Sequence, residues 1–230
     1  MKKISTGIFL VIYLLLNYTN SNSQGIKVDF LGFNGVAQNY GTPLFWGIGY
    51  EQNFGEKISL GLTYRSGYSF DSENSYSDVE YGFSIPNGNV SFTVFQNCSW
   101  SEFAYTSKYF FSDNSDGSYY VASGISMMQT TVQYDLNNLQ VNGISDPTFY
   151  GDLSEGIYKQ DITLFPVSID LGHRGEFDGL FYDYYIGLGF LPFGANPDAE
   201  PASLASHGVE PQFASLSFRF GMTFGVSWAR

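Results

Sequence analysis

The chain has 230 residues, a formal net charge of −12, 19% aromatic and only 14% charged residues, and 26 glycines. Gly and aromatics in that proportion are poor material for helices and too apolar for a disordered chain, whereas aromatics pack well on pleated strands. An acidic chain with no Lys/Arg cluster excludes nucleic acid as a partner, because displacing counterions from phosphates needs cations, and a single cysteine, Cys98, excludes an internal disulfide.

Lys2 and Lys3 precede an unbroken apolar run, Ile8 to Leu16, and the small residues Ser21 and Ser23 follow. This is the three-part pattern of a secretory leader, so residues 1–23 are expected to be a signal peptide cleaved before Gln24, with residues 24–230 as one domain. The run is shorter than the ~20 residues of a membrane-spanning helix. No later stretch approaches that length, so any membrane span in the mature chain must be built from strands.

Alternation with period two recurs along the rest of the chain. Strands are predicted near 25–34, 43–52, 57–69, 100–111, 118–134, 157–172, 179–190 and 213–228. Leu44, Trp46, Ile48 and Tyr50 alternate with Phe45, Gly47, Gly49 and Glu51, then resume after Asn53–Lys57 as Ile58, Leu60, Leu62 and Tyr64, a hairpin pattern. The segment Val79–Val94 is a further hairpin with Asn87-Gly88 at its turn. It is read as an external hairpin on an eight-stranded wall. The alternative, ten spanning strands, requires a tight turn around Asn97-Cys98-Ser99. Pro166 falls inside a predicted strand, removes a ladder hydrogen bond and predicts a bulge. The last run, Ala214 to Trp228, alternates strictly between apolar and small or polar residues.

The connections alternate in length. Those at 53–56, 112–117 and 173–178 are short, 35–42 is intermediate, and 70–99, 135–156 and 191–212 are long. Short turns on one side and long loops on the other are the asymmetry of transmembrane β-barrels. The expected fold is therefore an all-β, antiparallel up-and-down barrel of about eight strands, with periplasmic turns and extracellular loops.

The second face of each strand separates a membrane barrel from a soluble one. It holds Gly47, Gly49, Gly61, Gly187, Gly189, Gly221 and Gly225 with scattered charges, which suits the filled interior of a narrow barrel. The other face carries Tyr64, Phe103, Tyr105, Tyr109, Tyr182, Tyr184 and Trp228, as a lipid-facing wall with aromatic girdles would. The charges predicted for the lumen are Lys27, Asp29, Glu51, Arg65, Glu102, Lys108, Asp170, Asp183 and Arg219, nearly balanced, which implies an internal ion-pair network.

The three long connections carry Asp71, Glu73, Asp78, Glu80, Asp135, Asp146, Asp152, Glu155, Asp198, Glu200 and Glu210 and no Lys or Arg. These acids account for nearly all of the net charge. They predict a solvated acidic rim whose oxygens also suit divalent cations or a protein partner.

The run Phe218–Trp228 resembles the terminal strand signal of outer-membrane proteins. Lys108-Tyr109-Phe110-Phe111 followed by Tyr119–Gly124 is similar to a pattern of small outer-membrane β-barrel domains of the Bacteroidota type, broadly the OmpA/OmpX-like group. Ala229-Arg230 after Trp228 depart from a signal that typically ends on an aromatic. The resemblance implies a folded barrel inserted by the assembly machinery among outer-membrane lipids, extending to secretion-associated barrels of the PorT kind.

No catalytic, cofactor-binding or metal-binding residue is assigned. His173 is expected in a short turn. Ser206-His207-Gly208 lies in the last long connection, and adjacency in sequence does not make a nucleophile–base pair. Ser112–Gly117 lacks the first and twelfth ligands of a calcium loop and reads as a turn. An open porin needs about sixteen strands. The expectation is a non-enzymatic barrel with a structural or surface-interaction role. The alternatives are a rim-located lipid-modifying hydrolase or acyltransferase using His207, or an accessory barrel of a secretion or uptake complex.

Overall fold

The computed structural model describes residues 23–40, 42–70, 79–85, 88–111, 117–142, 155–192 and 213–229. The predicted leader lies outside them apart from Ser23. Ten strands follow in order: β1 (Ser23–Asn34), β2 (Thr42–Phe54), β3 (Ile58–Phe70), β4 (Val79–Ile85), β5 (Gly88–Phe110), β6 (Ser118–Asn142), β7 (Gly156–Leu164), β8 (Val167–Phe177), β9 (Leu180–Phe190) and β10 (Leu216–Ala229).

Eight of these close a ring. The ladder runs β5-β3-β2-β1-β10-β9-β8-β6, and β6 pairs back to β5. Every pairing between described strands is antiparallel. First and last strands meet, with Ser23 opposite Ala229 and Asn34 opposite Arg219, so the described termini lie at the short-turn end. Strands β4 and β7 stand outside the ring, flanking the long arms of β5 and β6.

The eight-strand reading holds, with corrections at four boundaries. Strand β5 begins at Gly88, twelve residues before the predicted start, and passes straight through Asn97-Cys98-Ser99 without a turn. The second arm of the external hairpin is therefore the barrel strand itself, because its alternation is never broken. Strand β6 continues to Asn142, so Asp135 lies in a strand opposite Phe95 and Ile157. The predicted strand 157–172 is split by Phe165-Pro166 into β7 and β8, and the Pro166 carbonyl accepts from Ser126 N at 2.9 Å. The register does not shift across this break, since Leu164 pairs with Met128 and Val167 with Ile125, so Phe165-Pro166 interrupts the strand without the extra residue of the bulge expected at Pro166.

The fourth correction concerns the turn predicted at 173–178. Strand β8 continues through His173 and Arg174 to Phe177. The reversal is made by Asp178 and Gly179, with φ of 50° and 78°. Two positive φ values in a two-residue loop match the twist of the flanking strands.

The outer face is a wall of apolar side chains. On β10, Leu216, Phe218, Phe220, Met222, Phe224, Val226 and Trp228 all point outward and exposed, and the same holds for Ile26, Val28 and Phe30 on β1. The stretch of β10 from Leu216 to Trp228 covers about 40 Å along the strand at ~3.3 Å per residue, or roughly 30 Å across a bilayer at a tilt near 45°. That is the thickness of a hydrocarbon core. Aqueous exposure of so continuous a surface is untenable. The chain is a transmembrane β-barrel.

Candidate functional site

The buried charged side chains of the described residues converge in the lumen. Inward positions follow strand parity, so charges far apart in sequence meet across the barrel. All nine predicted lumen charges are buried there, and Arg174 makes a tenth. Lys27, Arg65, Lys108, Arg174 and Arg219 then balance Asp29, Glu51, Glu102, Asp170 and Asp183, five against five.

The charges form two groups. Toward the short-turn end, Glu51 receives Lys108 Nζ at 2.9 Å, Arg174 Nη2 at 2.6 Å and Lys27 Nζ at 3.5 Å. Ser59 Oγ adds a hydrogen bond to the same carboxylate at 2.6 Å. Asp183 receives Lys108 Nζ at 2.5 Å and a two-point contact from Arg174. Farther along, Arg65 Nε donates to Asp29 at 2.6 Å and its Nη1 reaches Glu102 at 3.4 Å, while Thr223 Oγ1 donates to Asp29 at 2.8 Å. Arg219 Nε lies 3.1 Å from Asp170 as an ion pair that is not aligned as a hydrogen bond.

Aromatic rings complete the packing. Arg65 stacks over Phe45, Lys108 over Tyr120, Arg174 over Phe110 and Phe181, and Arg219 over Tyr185, with centroids 4.4–5.6 Å away. Such contacts stabilise cations that have lost part of their water. A void of about 20 Å³ remains among Lys27, Arg65, Lys108, Asp170, Asp183 and Tyr185, room for about one water molecule and no solute.

The glycines of the inner face make this density reachable. Phe45 faces Gly32, Trp100 faces Gly67, Tyr120 faces Gly172, Phe181 faces Gly225 and Tyr185 faces Gly221 in direct cross-strand pairs. In each case the ring occupies the space where a Cβ would stand. Gly47 accommodates the Arg65 stem and Gly49 that of Lys27 in the same way.

Above the ions the interior turns apolar. Phe92, Val94, Cys98 and Trp100 of β5 meet Met128, Val132, Tyr134 and Leu136 of β6 and Ile162 and Leu164 of β7. A 3₁₀ segment, Gly35–Tyr40, falls within the stretch predicted as the first loop. Its Val36 and Ala37 are fully buried in that core, and Val36 O accepts from Ala214 N at 3.1 Å. The first connection thus folds inward and caps the ion layer.

The remaining candidates are dispersed. His173 is on the outer face near the short-turn end, flanked by Tyr119 at 4.8 Å and Tyr184 at 5.1 Å between ring centroids. It is a girdle residue and not the solvated turn residue expected. His207 and 112–116 of the calcium-like segment lie outside the described residues, as do most of the acids of the long connections. Of those acids, Asp135 is half-buried on β6, and Glu155 accepts from Leu139 N at 2.9 Å. Among the described residues no group of three or more His, Cys, Asp or Glu could hold a metal ion.

No protein-family model matches the sequence, and no curated protein matches it either. Among solved structures, Neisserial surface protein A aligns over 92% of this chain and 98% of its own, at 8% identity and a TM-score of 0.47. The N-terminal β-barrel domain of Pseudomonas aeruginosa OprF aligns over 91% and 100%, at 13% identity and a TM-score of 0.44. A major outer membrane protein from Thermus thermophilus aligns over 90% and 100%, at 8% identity and a TM-score of 0.45. The chain is similar to these barrels along nearly its whole length, while its own closed ladder and apolar outer face establish the architecture.

Proposed function

We propose that the chain is an outer-membrane barrel without catalytic activity, serving envelope structure or surface interaction. The carrying observation is that the lumen is a plug: ten charges paired five against five, with Val36 and Ala37 closing the apolar layer above them. The void left among those charges has room for about one water molecule. The part available for interaction is the wall formed by β4, β5, β6 and β7 beyond the apolar band. Lipids of the outer membrane surround the barrel, and the assembly machinery inserts it after export directed by residues 1–23. The acidic connections are the surface for a protein partner or for divalent cations.

Antiparallel barrels with short turns at one end and long connections at the other are the spanning form of the Gram-negative outer membrane, which supports the location. The likeness of Lys108–Phe111, Tyr119–Gly124 and Phe218–Trp228 to Bacteroidota-type small barrels supports the finer affiliation. The test is fractionation of the envelope followed by gels run with and without boiling. Retention in carbonate-washed outer membranes and a boiling-dependent mobility shift are expected. Free protein in periplasm or medium overturns the reading, and loss of a lipid acyl modification on His207→Ala would replace it with an enzymatic one.

A further inference from the structure

On one flank of the barrel the apolar and polar zones of the outer surface meet along a single line. Tyr64, Phe103 and Met127 are cross-strand neighbours on β3, β5 and β6, and all point outward with Phe165 beside β7. Two residues farther toward the long-connection end, the next outward row is Ser66, Ser101, Gln129 and Thr163, again in direct register. The two rows are about 7 Å apart along the strands.

Each side of the line is concave. Below it, Ile48, Leu62, Tyr105 and Ile125 join the aromatic row around a groove of about 770 Å³. Above it, Thr131 and Asp161 join the polar row around a cleft of about 490 Å³, and Thr131 Oγ1 donates to Asp161 Oδ1 at 2.6 Å.

We propose that cleft and groove are one lipid-binding site that takes a single glycolipid, its acyl chain in the groove and its uncharged sugar in the cleft. The hydroxyls of Ser66, Ser101 and Thr163 both donate and accept, that of Thr131, already donating to Asp161, accepts, the Gln129 amide does both, and the Asp161 carboxylate accepts. Together they complement a polyol. No Lys or Arg lines the cleft among the described residues, and Lys159, two residues from Asp161 on the same strand, stands outside it. A phosphate headgroup would face Asp161 with no cation to neutralise it, whereas anion sites rely on charge-assisted donors. The groove separates a lipid from a free saccharide of the same chemistry, because only the lipid fills both halves. The inference rests on the barrel's being embedded in a lipid leaflet.

The test is native mass spectrometry of the full chain folded in a short polyoxyethylene detergent. The probes are dodecyl maltoside, dodecylphosphocholine with the same alkyl chain, and maltose. One retained dodecyl maltoside is expected, at about tenfold lower concentration than dodecylphosphocholine, with no retained maltose. Gln129→Ala with Asp161→Ala should weaken it about tenfold, the equivalent of one or two hydrogen bonds. Should that variant fold poorly, Ile125→Trp, on the lipid-facing surface, should cut retention by filling the groove. Equal retention of both amphiphiles, binding of maltose alone, or adducts unchanged by the folded variants would each overturn the proposal. Boiling-dependent gel mobility and insertion into vesicles, measured on the same preparations, report separately on the membrane reading itself.

Discussion

Arg174 on β8 and Asp183 on β9 are joined by two hydrogen bonds, Nε to Oδ1 and Nη2 to Oδ2, both 2.8 Å long. The same guanidinium reaches Glu51 on β2, so one side chain ties three strands of the ring. Arg174→Met would leave five buried acids facing four cations, and breaking a buried pair from one side costs about 3–5 kcal/mol. Denaturant unfolding in lipid vesicles should show a loss of that size. Arg174→Met with Asp183→Asn restores the balance and should cost clearly less than the sum of the single changes. Strict additivity would mean that the pair does not act as a unit.

The plug has a second measurable consequence. In planar bilayers the protein should show no steady ion conductance, since the void within the ion layer holds about one water molecule. Replacing Arg65 and Glu102 together with Ser keeps the lumen neutral while removing two large side chains from the pair at 3.4 Å. That variant should give brief, small currents. Steady conductance in the unaltered protein would show that the ion layer opens.

Much of this was readable from residue order. Parity placed nine lumen charges correctly, because lipid and lumen alternate strictly along each spanning strand. Arg174 falls outside that set because the predicted turn spans 173–178, although Asp178-Gly179 is itself a strong two-residue turn signal. Ending β8 at Phe177 puts Arg174 in the parity of Asp170 and Gly172. The inward fold of Val36 and Ala37 left no comparable mark, since a short apolar segment between strands reads the same whether it lies over the rim or drops into it. The apolar upper core was hidden differently. Phe92, Val94 and Cys98 keep the inward parity of Glu102 and Lys108, but parity cannot tell where along a strand the lumen changes from charged to apolar.

The pairing of glycines with rings makes a sharp steric expectation. A Cβ on Gly67 would overlap the Trp100 indole, and Trp100 is buried, so the ring has nowhere to move without disturbing Met128 and its neighbours. Gly67→Val should destabilise by about 1–3 kcal/mol, as overpacking does. Gly67→Val combined with Trp100→Leu should recover part of that loss. Thermal mobility-shift gels on the single and double variants measure both. An unchanged transition in Gly67→Val would mean that the indole does not rest on that glycine.

Backbone sign gives a cleaner case at the β8–β9 turn. Gly179 has φ of 78° and its carbonyl accepts from Ser227 N at 2.7 Å. A side chain there incurs the left-handed penalty of about 1–2 kcal/mol. Gly179→Ala should therefore lower stability by about 1 kcal/mol, while Asp178→Asn, which tolerates positive φ equally well, should be near neutral. Denaturant unfolding of the two variants in the same vesicles measures the difference, and equal stability would mean that the turn relaxes to a different conformation.

Finally, the boundary between hydrocarbon and headgroups can be located within one step of the ladder. Phe103 and Ser101 both point outward on β5, and their cross-strand partners are Tyr64 and Met127 for the first, Ser66 and Gln129 for the second. Neighbouring strands thus switch from apolar to polar at the same register, a coincidence expected only where the surrounding medium changes. Spin labels at Phe103→Cys and Ser101→Cys, in a Cys98→Ala background, should differ sharply in collision with oxygen and with a water-soluble chromium complex. The first label should favour oxygen and the second the metal complex. Equal accessibility at the two positions would place the boundary elsewhere and remove the polar cleft from the headgroup layer.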